Sequence, residues 1–329
     1  MSTGFPVPDP ALDQSLRSGL DAVEELLRTS VKSDYPFVSE TAQHLLTAGG
    51  KRFRPLLVLL SAHFGDPRAT GVVPAAVVVE LTHLATLYHD DVMDEAELRR
   101  GAQSANARWD NTVAILTGDF LFARASDLLA DLGPECVRIQ ARTFERLVHG
   151  QIRETIGPDD GADEVDHYLQ VIGDKTASLI ATAGRFGAML GGADDTMVQR
   201  VAECCELIGL AFQLSDDLLD ISGSSGEFGK TPGTDLREGV RTLPLLYALR
   251  SGDPADARLH ELLESDLDAD GAKLAEALEL LRAHRAMQQA HDVLVDTADR
   301  ARSALAPLPE GPARAVFESL CDYVVARTV

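Results

Sequence analysis

Two short segments of the sequence carry three aspartates each at the same spacing. The segments are HDDVMDEAELRRG at 89–101, with Asp90, Asp91 and Asp94, and QLSDDLLDISG at 213–223, with Asp216, Asp217 and Asp220. The first and third aspartates are four residues apart, so on a helix they share one face. Carboxylates this close need cations, because otherwise their pKa values rise and they become neutral. Oxygen ligands at this spacing suit Mg²⁺, which shares its coordination shell with water and substrate phosphates. The motif therefore predicts magnesium bound together with a diphosphate.

A solvated acidic helix face is the alternative interpretation of one such segment. The chain holds 30 Lys and Arg against 52 Asp and Glu, a net charge of −22. This balance does not explain why the same spacing recurs at the end of two apolar runs, where the carboxylates are expected at the mouth of an apolar interior. It does argue against a nucleic-acid or anionic-membrane binder, which is usually basic. An anionic ligand must therefore be held by local basic residues or metal ions.

Two groups of basic residues could hold such an anion. Arg99 and Arg100 follow the first aspartate segment, and GGKRFRP at 49–55 places Lys51, Arg52 and Arg54 on a glycine-flanked turn. Arginine forks pair well with phosphate oxygens. The turn is predicted to precede a helix that begins with proline. Taken alone, the basic trio is more typical of a solvated loop.

The elements that position these residues are predicted to be helices. Apolar residues recur at three and four positions in 55–64, 136–150, 201–220 and 275–294, and strand signals are scarce. We predict an all-α protein with one domain at 13–329 and a flexible segment at 1–12. The acidic, alanine-rich third from about Asp253 is expected to be a helical appendage. Breaks are expected at Gly49-Gly50, 157–166, Gly191-Gly192 and 223–235.

Other features place the protein in the cytoplasm. The four cysteines, Cys136, Cys204, Cys205 and Cys321, lack metal-ligand spacing and are expected to be reduced thiols. The amino-terminal residues lack the basic start and apolar run of a signal peptide. The apolar stretch at 71–91 is interrupted by Glu80 and His83, so it is expected to be an internal helix rather than a membrane span.

Several segments together resemble the trans-isoprenyl diphosphate synthases, or polyprenyl synthetases. They are GGKRFRP, ELTHLATLYHDDVMDEAELRRG, GDFLFARA, KTASLIATA, GLAFQLSDDLLD and GKTPGTDLREGVRTLPLLYAL, and they occur in the family's order from Gly49 to the DYVVAR segment at 322–327. The resemblance implies an all-α single-domain bundle around a deep apolar cavity, a homodimer, and Mg²⁺-dependent condensation of an allylic diphosphate with isopentenyl diphosphate. It also implies three Mg²⁺ ions per active site.

The resemblance assigns roles to individual residues. The metal ligands would be Asp90, Asp91, Asp94, Asp216, Asp217 and Asp220. The isopentenyl diphosphate pocket would contain Lys51, Arg54, His83 and Arg100, and the groups around the allylic diphosphate would be Arg99, Lys175, Thr176, Gln213 and Lys230. With the aspartates, Lys175 and Lys230 would neutralise the leaving diphosphate. One departure is Val240, where the family often has lysine; Arg241 follows it.

Small residues before the first aspartate segment bear on product length. Thr86 and Ala85 lie four and five residues before Asp90, about one helical turn, and Thr82 lies about one turn further. In related short-chain enzymes a bulky aromatic at this place resembles a floor that stops chain growth. Small residues here therefore predict a long product of roughly C30–C50. The alternative interpretation is that these residues are small because two helices cross closely there, since small residues are common at such crossings.

Four other functions compete with this hypothesis. A short-chain synthase (C15–C20) would differ only in product length, and a class I terpene cyclase would lack a second aspartate motif of this type. A phosphate-loop ATPase is suggested by GSSGEFGKT at 223–231, but its glycine spacing is wrong and no strand precedes it. A non-catalytic partner subunit would tend to lose the aspartates that this chain retains.

Overall fold

The computed structural model describes residues 7–223 and 232–328, and within them the regular secondary structure is almost all helix. Sixteen α-helices lie in these described ranges: α1 (Pro10–Ser30), α2 (Pro36–Thr47), α3 (Phe53–Ser61), α4 (Val72–Met93), α5 (Ala105–Arg108), α6 (Asn111–Leu132), α7 (Pro134–Ile156), α8 (Glu164–Ile172), α9 (Ser178–Leu190), α10 (Asp195–Ser222), α11 (Thr234–Arg237), α12 (Leu243–Leu249), α13 (Ala257–Leu263), α14 (Gly271–Ala283), α15 (Arg285–Leu305) and α16 (Pro312–Ala326). The prediction of an all-α protein is confirmed.

The chain forms two compact units. The first takes Met1–Phe144, Leu179–Cys205 and Pro307–Val316, and the second takes Glu145–Ser178, Glu206–Ala306 and Phe317–Val329. The first aspartate segment belongs to the first unit, and the second aspartate segment belongs to the second unit. The single domain predicted for 13–329 therefore remains a prediction.

Helix α1 begins with a capping aspartate and a proline. The side chain of Asp9 accepts a hydrogen bond from the backbone N–H of Leu12 over 2.7 Å, and Pro10 occupies the first helical position. Both are typical helix-start signals, because the first N–H groups of a helix have no partner within it. Leu12 is 4% exposed. The flexible segment predicted for 1–12 thus ends inside a helix, and its first six residues lie outside the described part.

Helix α4 is the central helix of the first unit. Buried residues occur on nearly every side of α4, and the helix packs against α1, α3 and α6. Tyr88 fixes it to α2: its hydroxyl donates to the carbonyl of Thr41 and accepts from the N–H of Leu45. The helix is long and apolar enough to cross a membrane, but 67% of that apolar window is buried inside the structure. This burial agrees with the predicted internal helix.

The second unit has two apolar clusters. One joins Tyr168 of α8 and Leu218 of α10 to Leu294 of α15, and the other joins Leu245 of α12 to Leu278 of α14. The carboxyl-terminal third therefore contributes to the same core as α10, and the prediction that it is an appendage is wrong. The apolar run at 275–294 also spans two helices, α14 and α15, which are separated at His284, where ψ is 145°.

Between α8 and α9 the helix widens into a π turn. This turn covers Gly173–Ala177 and includes Lys175 and Thr176. Short π segments inserted between α-helices occur often at functional sites. The wider turn places these two polar side chains where neither α8 nor α9 continues in α geometry.

Candidate active site

The first aspartate segment lies at the carboxyl end of α4. Asp90 and Asp91 are in its last turn, and Asp94 is the residue that caps the helix, with its N–H bonded to the carbonyl of Asp90 over 2.8 Å. Asp90 is half-buried, Asp91 is fully buried and Asp94 is exposed. The predicted helical placement is therefore observed, with the third aspartate at the helix end.

Asp91 is held by an arginine. The Nε of Arg99 donates to Oδ1 of Asp91 over 2.5 Å, while Oδ2 is buried without a hydrogen-bond partner in the described part of the chain. Burial raises the pKa of Asp91, and the charge and hydrogen bond of Arg99 oppose that rise. An unpaired buried carboxylate oxygen is costly. Asp91 is therefore suited to a further cation.

A small hairpin directs the two arginines to different partners. Strands β1 (Leu98–Arg99) and β2 (Ala102–Gln103) pair antiparallel, and the turn between them is Arg100-Gly101, with φ of 55° and 75°. Positive φ at both central residues is the pattern of a tight hairpin turn that follows the twist of its strands. Arg99 points to Asp91, whereas Arg100 donates to the carbonyls of Leu45 and Gly49.

The GGKRFRP loop supplies one arginine that stabilises the fold. Arg52 is 4% exposed and contacts Glu24 of α1 and Glu80 of α4, the latter over 3.1 Å. A side chain at Gly50, where φ is 149°, would place its Cβ 2.6 Å from Nη1 of Arg52. The loop therefore needs glycine where its backbone approaches the guanidinium. The following helix begins at Phe53, so the prediction that proline is its first residue is wrong.

Arg54, His83 and Arg100 form a cationic group in the first unit. Burial lowers the pKa of Arg54 to about 10, opposed by the charge of Glu80 and helped by that of Arg100. The Nε of Arg54 is buried without a hydrogen-bond partner among the described residues. Burial, then the nearby arginines, hold the pKa of His83 well below 6.5, so its imidazole is neutral at pH 7. Such a group can bind an anion. Lys51 lies exposed on the same loop.

The second aspartate segment lies near the carboxyl end of α10. Asp217 is 3% exposed; it accepts hydrogen bonds from the hydroxyl of Tyr168 and from Nε2 of Gln213, the latter over 2.9 Å. Burial raises the pKa of Asp217 to about 6, helped by the charges of Asp216 and Asp220 and opposed by these hydrogen bonds. This segment therefore concentrates negative charge in an apolar setting.

Asp220 and Asp216 each contact another element of the second unit. The carboxylate of Asp220 accepts from the N–H groups of Thr234 and Asp235, both over 3.1 Å, and so caps α11. Asp216 forms an ion pair with Arg327. The carboxylates of the second segment thus position neighbouring elements as well as carrying charge.

The π turn brings two predicted site residues to α10. The hydroxyl of Thr176 donates to Oε1 of Gln213 over 3.3 Å, which links the turn to Asp217 through Gln213. Lys175 pairs with Glu154 of α7. A Cβ at Gly150 of α7 would lie 2.6 Å from the backbone nitrogen of Lys175, so glycine permits this close approach.

The sequence also drew attention to Lys230, Val240 and Arg241. Lys230, predicted near the allylic diphosphate, lies outside the described residues. Val240 is exposed, and the neighbouring Arg241 pairs with Glu164 over 3.0 Å on the surface of the second unit. The charge of Arg241 is therefore partly neutralised by a residue of α8.

The residues predicted to set product length differ in their surroundings. Ala85 is fully buried where α4 meets α6, and a Cβ at Gly118 of α6 would lie 3.1 Å from its carbonyl oxygen. Thr82 is also fully buried, and its hydroxyl accepts from Nε2 of Gln140 over 2.8 Å. Thr86 is half-buried. The approach of Gly118 to the Ala85 backbone shows a close α4–α6 crossing here, as in the alternative left open by the sequence.

The aspartates fit a hard divalent cation in their chemistry. All six candidates offer carboxylate oxygens, the ligand type that Mg²⁺ prefers, and Asp91 has a buried oxygen available. In the part of the chain that the structure describes, no three His, Cys, Asp or Glu side chains close around a point as a complete metal cage. Mg²⁺ usually retains waters and binds substrate phosphates rather than such a cage. The donor set therefore fits Mg²⁺.

Sequence reasoning missed two residues that contact the second aspartate segment. Tyr168 and Arg327 are 49 and 111 residues from the aspartates they contact. Both residues are too far from the aspartates along the chain for a local sequence pattern to connect them. Only DYVVAR, noted as part of the resemblance, pointed towards Arg327.

Known proteins match this chain along most of its length. A model of the polyprenyl synthetase family matches residues 35–281. The chain is 51% identical over 325 residues to a nonaprenyl diphosphate synthase of Mycobacterium tuberculosis, with 98% of this chain and 97% of the relative covered. It is 40% identical to a dimethylallyltranstransferase of the same organism, with 97% of each chain covered.

Solved structures give the same result. A geranylgeranyl pyrophosphate synthase from Corynebacterium glutamicum, complexed with calcium and isoprenyl diphosphate, matches with a TM-score of 0.90 and 44% identity over 98% of this chain and 99% of that one. A decaprenyl diphosphate synthase from Rhodobacter capsulatus matches with a TM-score of 0.88 and 37% identity, covering 97% and 99%. The chain therefore belongs to the polyprenyl synthetase family and is a prenyl-transferring enzyme with the family's all-α fold.

Proposed function

We propose that this enzyme condenses an allylic diphosphate, such as farnesyl or geranylgeranyl diphosphate, with isopentenyl diphosphate to make a long all-trans polyprenyl diphosphate of roughly C30–C50. Family membership along nearly the whole chain supports the reaction class. The observation that carries the substrate assignment is the cationic group of Arg54, His83 and Arg100, in a protein whose net charge is −22. That group is suited to a diphosphate.

The cationic group is proposed to hold isopentenyl diphosphate. Arg54 has a buried Nε that needs an acceptor, and the neutral His83 can donate one N–H without adding charge. Arg100 is anchored by backbone carbonyls of the neighbouring loop, so its guanidinium is fixed before substrate arrives. Lys51 would add a charge from the exposed side. Fixed groups lower the entropic cost of orienting the second substrate.

The allylic diphosphate is assigned to a different set of residues. We propose that Arg99, Lys175, Thr176, Gln213 and Lys230 contact it. Mg²⁺, held by Asp90, Asp91, Asp94, Asp216, Asp217 and Asp220 with three ions per active site, would supply positive charge opposite the leaving diphosphate. Lys175 and Lys230 would add fixed charge at the same group. Preorganised charge of this kind lowers the barrier to ionisation.

The remaining steps need little from protein side chains except exclusion of water. Ionisation leaves an allylic cation, which the double bond of isopentenyl diphosphate attacks. An apolar lining protects such a cation from hydrolysis. A proton is then lost to the departing pyrophosphate, so no protein base is assigned.

Sequence similarity and the side chains of α4 both bear on the length of the product. A long product is supported by the similarity to a nonaprenyl (C45) synthase and by the small side chains at Thr82, Ala85 and Thr86. A short-chain synthase is the second candidate, because a geranylgeranyl pyrophosphate synthase is 44% identical. The buried Ala85 at the α4–α6 crossing weakens its use as a marker of length.

We propose that the enzyme works as a cytoplasmic homodimer without nucleic-acid partners or an integral membrane segment. Helix α7 exposes the apolar side chains of Val137, Phe144, Val148, Ile152 and Ile156, which recur on one face. An exposed apolar stripe of this kind supports a protein interface. Replacing Phe144 and Val148 with glutamate should convert a dimer to monomers in light scattering, whereas a wild type that is already monomeric would contradict the proposal.

The reaction is tested by incubating the purified chain with isopentenyl diphosphate, Mg²⁺ and either farnesyl or geranylgeranyl diphosphate. Chain-length analysis of the dephosphorylated products should show roughly six to ten isoprene units, and excess chelator should abolish elongation. A C20 product would favour the short-chain candidate. A cyclic hydrocarbon formed without isopentenyl diphosphate would overturn both.

A further inference from the structure

Arg327 contacts the second aspartate segment from outside the residues assigned so far. It directly follows α16, and its guanidinium forms an ion pair with Asp216 of α10. The same guanidinium lies over the ring of Phe212, 4.6 Å from the ring centroid. Phe212 and Asp216 are four residues apart, so one face of α10 holds the arginine through two different contacts.

The environment of Arg327 differs from that of a surface ion pair. Its side chain is 11% exposed, compared with 40% for Arg302, which joins α15 to α16 through Asp322. Its Nε is buried and has no hydrogen-bond partner in the part of the chain that the structure describes. An arginine carries five N–H donors in a planar fork that fits phosphate oxygens. Arg327 therefore has donor capacity beyond its contact with Asp216.

The ion pair between Arg327 and Asp216 lies among other negative charges, which affects how a cation can bind. Asp216, Asp217 and Asp220 lie within five consecutive residues of α10, so three carboxylates share about one helical turn. A guanidinium on Asp216 offsets part of this repulsion. A divalent cation that arrives alone must compete with Arg327 for the Asp216 carboxylate. A cation that arrives with a diphosphate offers phosphate oxygens to the same guanidinium.

We propose that Arg327 is a counter-ion that makes the second aspartate segment bind divalent cation together with diphosphate rather than cation alone. This inference rests on the proposed function, since it assumes that the segment binds metal and diphosphate. Arg327 weakens binding of the cation alone by competing for Asp216. It strengthens binding of the cation with diphosphate by donating to phosphate oxygens.

The test uses Arg327→Gln and inorganic pyrophosphate as the probe. Mn²⁺ binding to the full chain is measured by electron paramagnetic resonance, and Mg²⁺-pyrophosphate binding is measured by calorimetry. We expect Arg327→Gln to bind Mn²⁺ alone more tightly and Mg²⁺-pyrophosphate more weakly, each by about tenfold, the size typical of a charge-assisted contact. A merely structural role would weaken both together.

Three further variants make the outcome specific. Arg302→Ala removes an arginine contact between α15 and α16, the pair with Asp322, and should change neither affinity. In an Asp216→Asn background, Arg327→Gln should no longer tighten Mn²⁺ binding. Arg327→Lys keeps the charge but loses the planar fork, so it should keep weak Mn²⁺ binding and lose pyrophosphate affinity.

Other outcomes would reject either the role of Arg327 or the proposed function. If Arg327→Gln lowers both affinities or changes neither, Arg327 is not the proposed counter-ion. If wild type binds no Mg²⁺-pyrophosphate and makes no prenyl product, the proposed function itself is wrong. A wild type that elongates prenyl chains while Arg327→Gln shows parallel losses would reject only the present inference.

Discussion

Arg99 and Asp91 form an ion pair of 2.5 Å between β1 and the last turn of α4. The carboxylate is fully buried, whereas the arginine is 30% exposed. Arg99 thus contributes one cation to a segment in which burial disfavours the charged form. The other carboxylate oxygen, Oδ2, is buried and available to a second cation. An arginine and a metal can therefore share this aspartate.

Replacing Arg99 with glutamine should shift the pH dependence of the reaction. Burial already raises the pKa of Asp91, and Arg99 lowers it, so its removal should raise the pKa further. The acidic limb of the kcat/KM profile for the allylic substrate should move to higher pH, and KM should rise by about tenfold or more. Arg108→Gln removes a surface pair with Glu40 and should leave both unchanged. An unaltered acidic limb would show that Arg99 does not act through Asp91.

Asp217 should make the metal-free enzyme less stable as pH rises. Its pKa is about 6 in the folded protein, against an ordinary value of 3.8, so the protonated form favours folding. This contribution is fully present below pH 3.8 and is lost as pH rises through 6; it is on the order of 3 kcal/mol. Urea unfolding in chelator at several pH values should show a smaller pH dependence for Asp217→Asn than for wild type. If the stability of both proteins depends on pH to the same extent, Asp217 does not make this contribution.

Aromatic substitutions on α4 test the proposed control of product length. Ala85→Phe should shorten the product while activity is retained, if this part of α4 limits chain growth. Because Ala85 is buried against α6, the variant also needs a check of folding by circular dichroism. Thr86→Phe is the companion variant, since Thr86 is half-buried and has more room. If both folded variants keep the wild-type product length, the limit lies elsewhere.

The buried pair between Arg52 and Glu80 should stabilise the first unit. Both side chains are less than 5% exposed, and without the charge of Glu80 the buried guanidinium of Arg52 would keep only Glu24 as an ionic partner. Glu80→Gln should lower the free energy of unfolding by about 1–3 kcal/mol, the cost of leaving a buried donor poorly paired. Chemical denaturation at pH 7 measures this effect. Glu40→Gln, at an exposed pair, is the control and should leave the midpoint unchanged. A change no larger than that control would show that the pair is not stabilising.

Local sequence patterns were sufficient for the helices and for the placement of both aspartate segments. A spacing of four residues at the end of an apolar run is a helical signal that needs no distant contact, and Asp90 and Asp216 lie on helices as expected. The hairpin at 98–103 could not be predicted in this way. Its turn places Arg100 at a φ of 55°, which is unusual for arginine and depends on the tertiary contacts of its side chain.

The roles within the basic loop also required tertiary structure. Lys51, Arg52 and Arg54 have similar charges and lie within four residues, yet Lys51 is exposed, Arg52 is paired in the interior and Arg54 is half-buried near His83. The partners of Arg52 are Glu24 and Glu80, each 28 residues away along the chain. No local pattern distinguishes an arginine that completes the fold from one that faces a ligand.

The π turn at Gly173–Ala177 has a consequence for how such enzymes can lose activity. A π turn holds about one residue more than an α turn, so deleting one residue there would let the chain run on as ordinary α-helix. Without the wide turn, Lys175 and Thr176 would no longer be held at their present contacts with Glu154 and Gln213. A single in-frame codon loss could thus convert a synthase into an inert copy with intact helices.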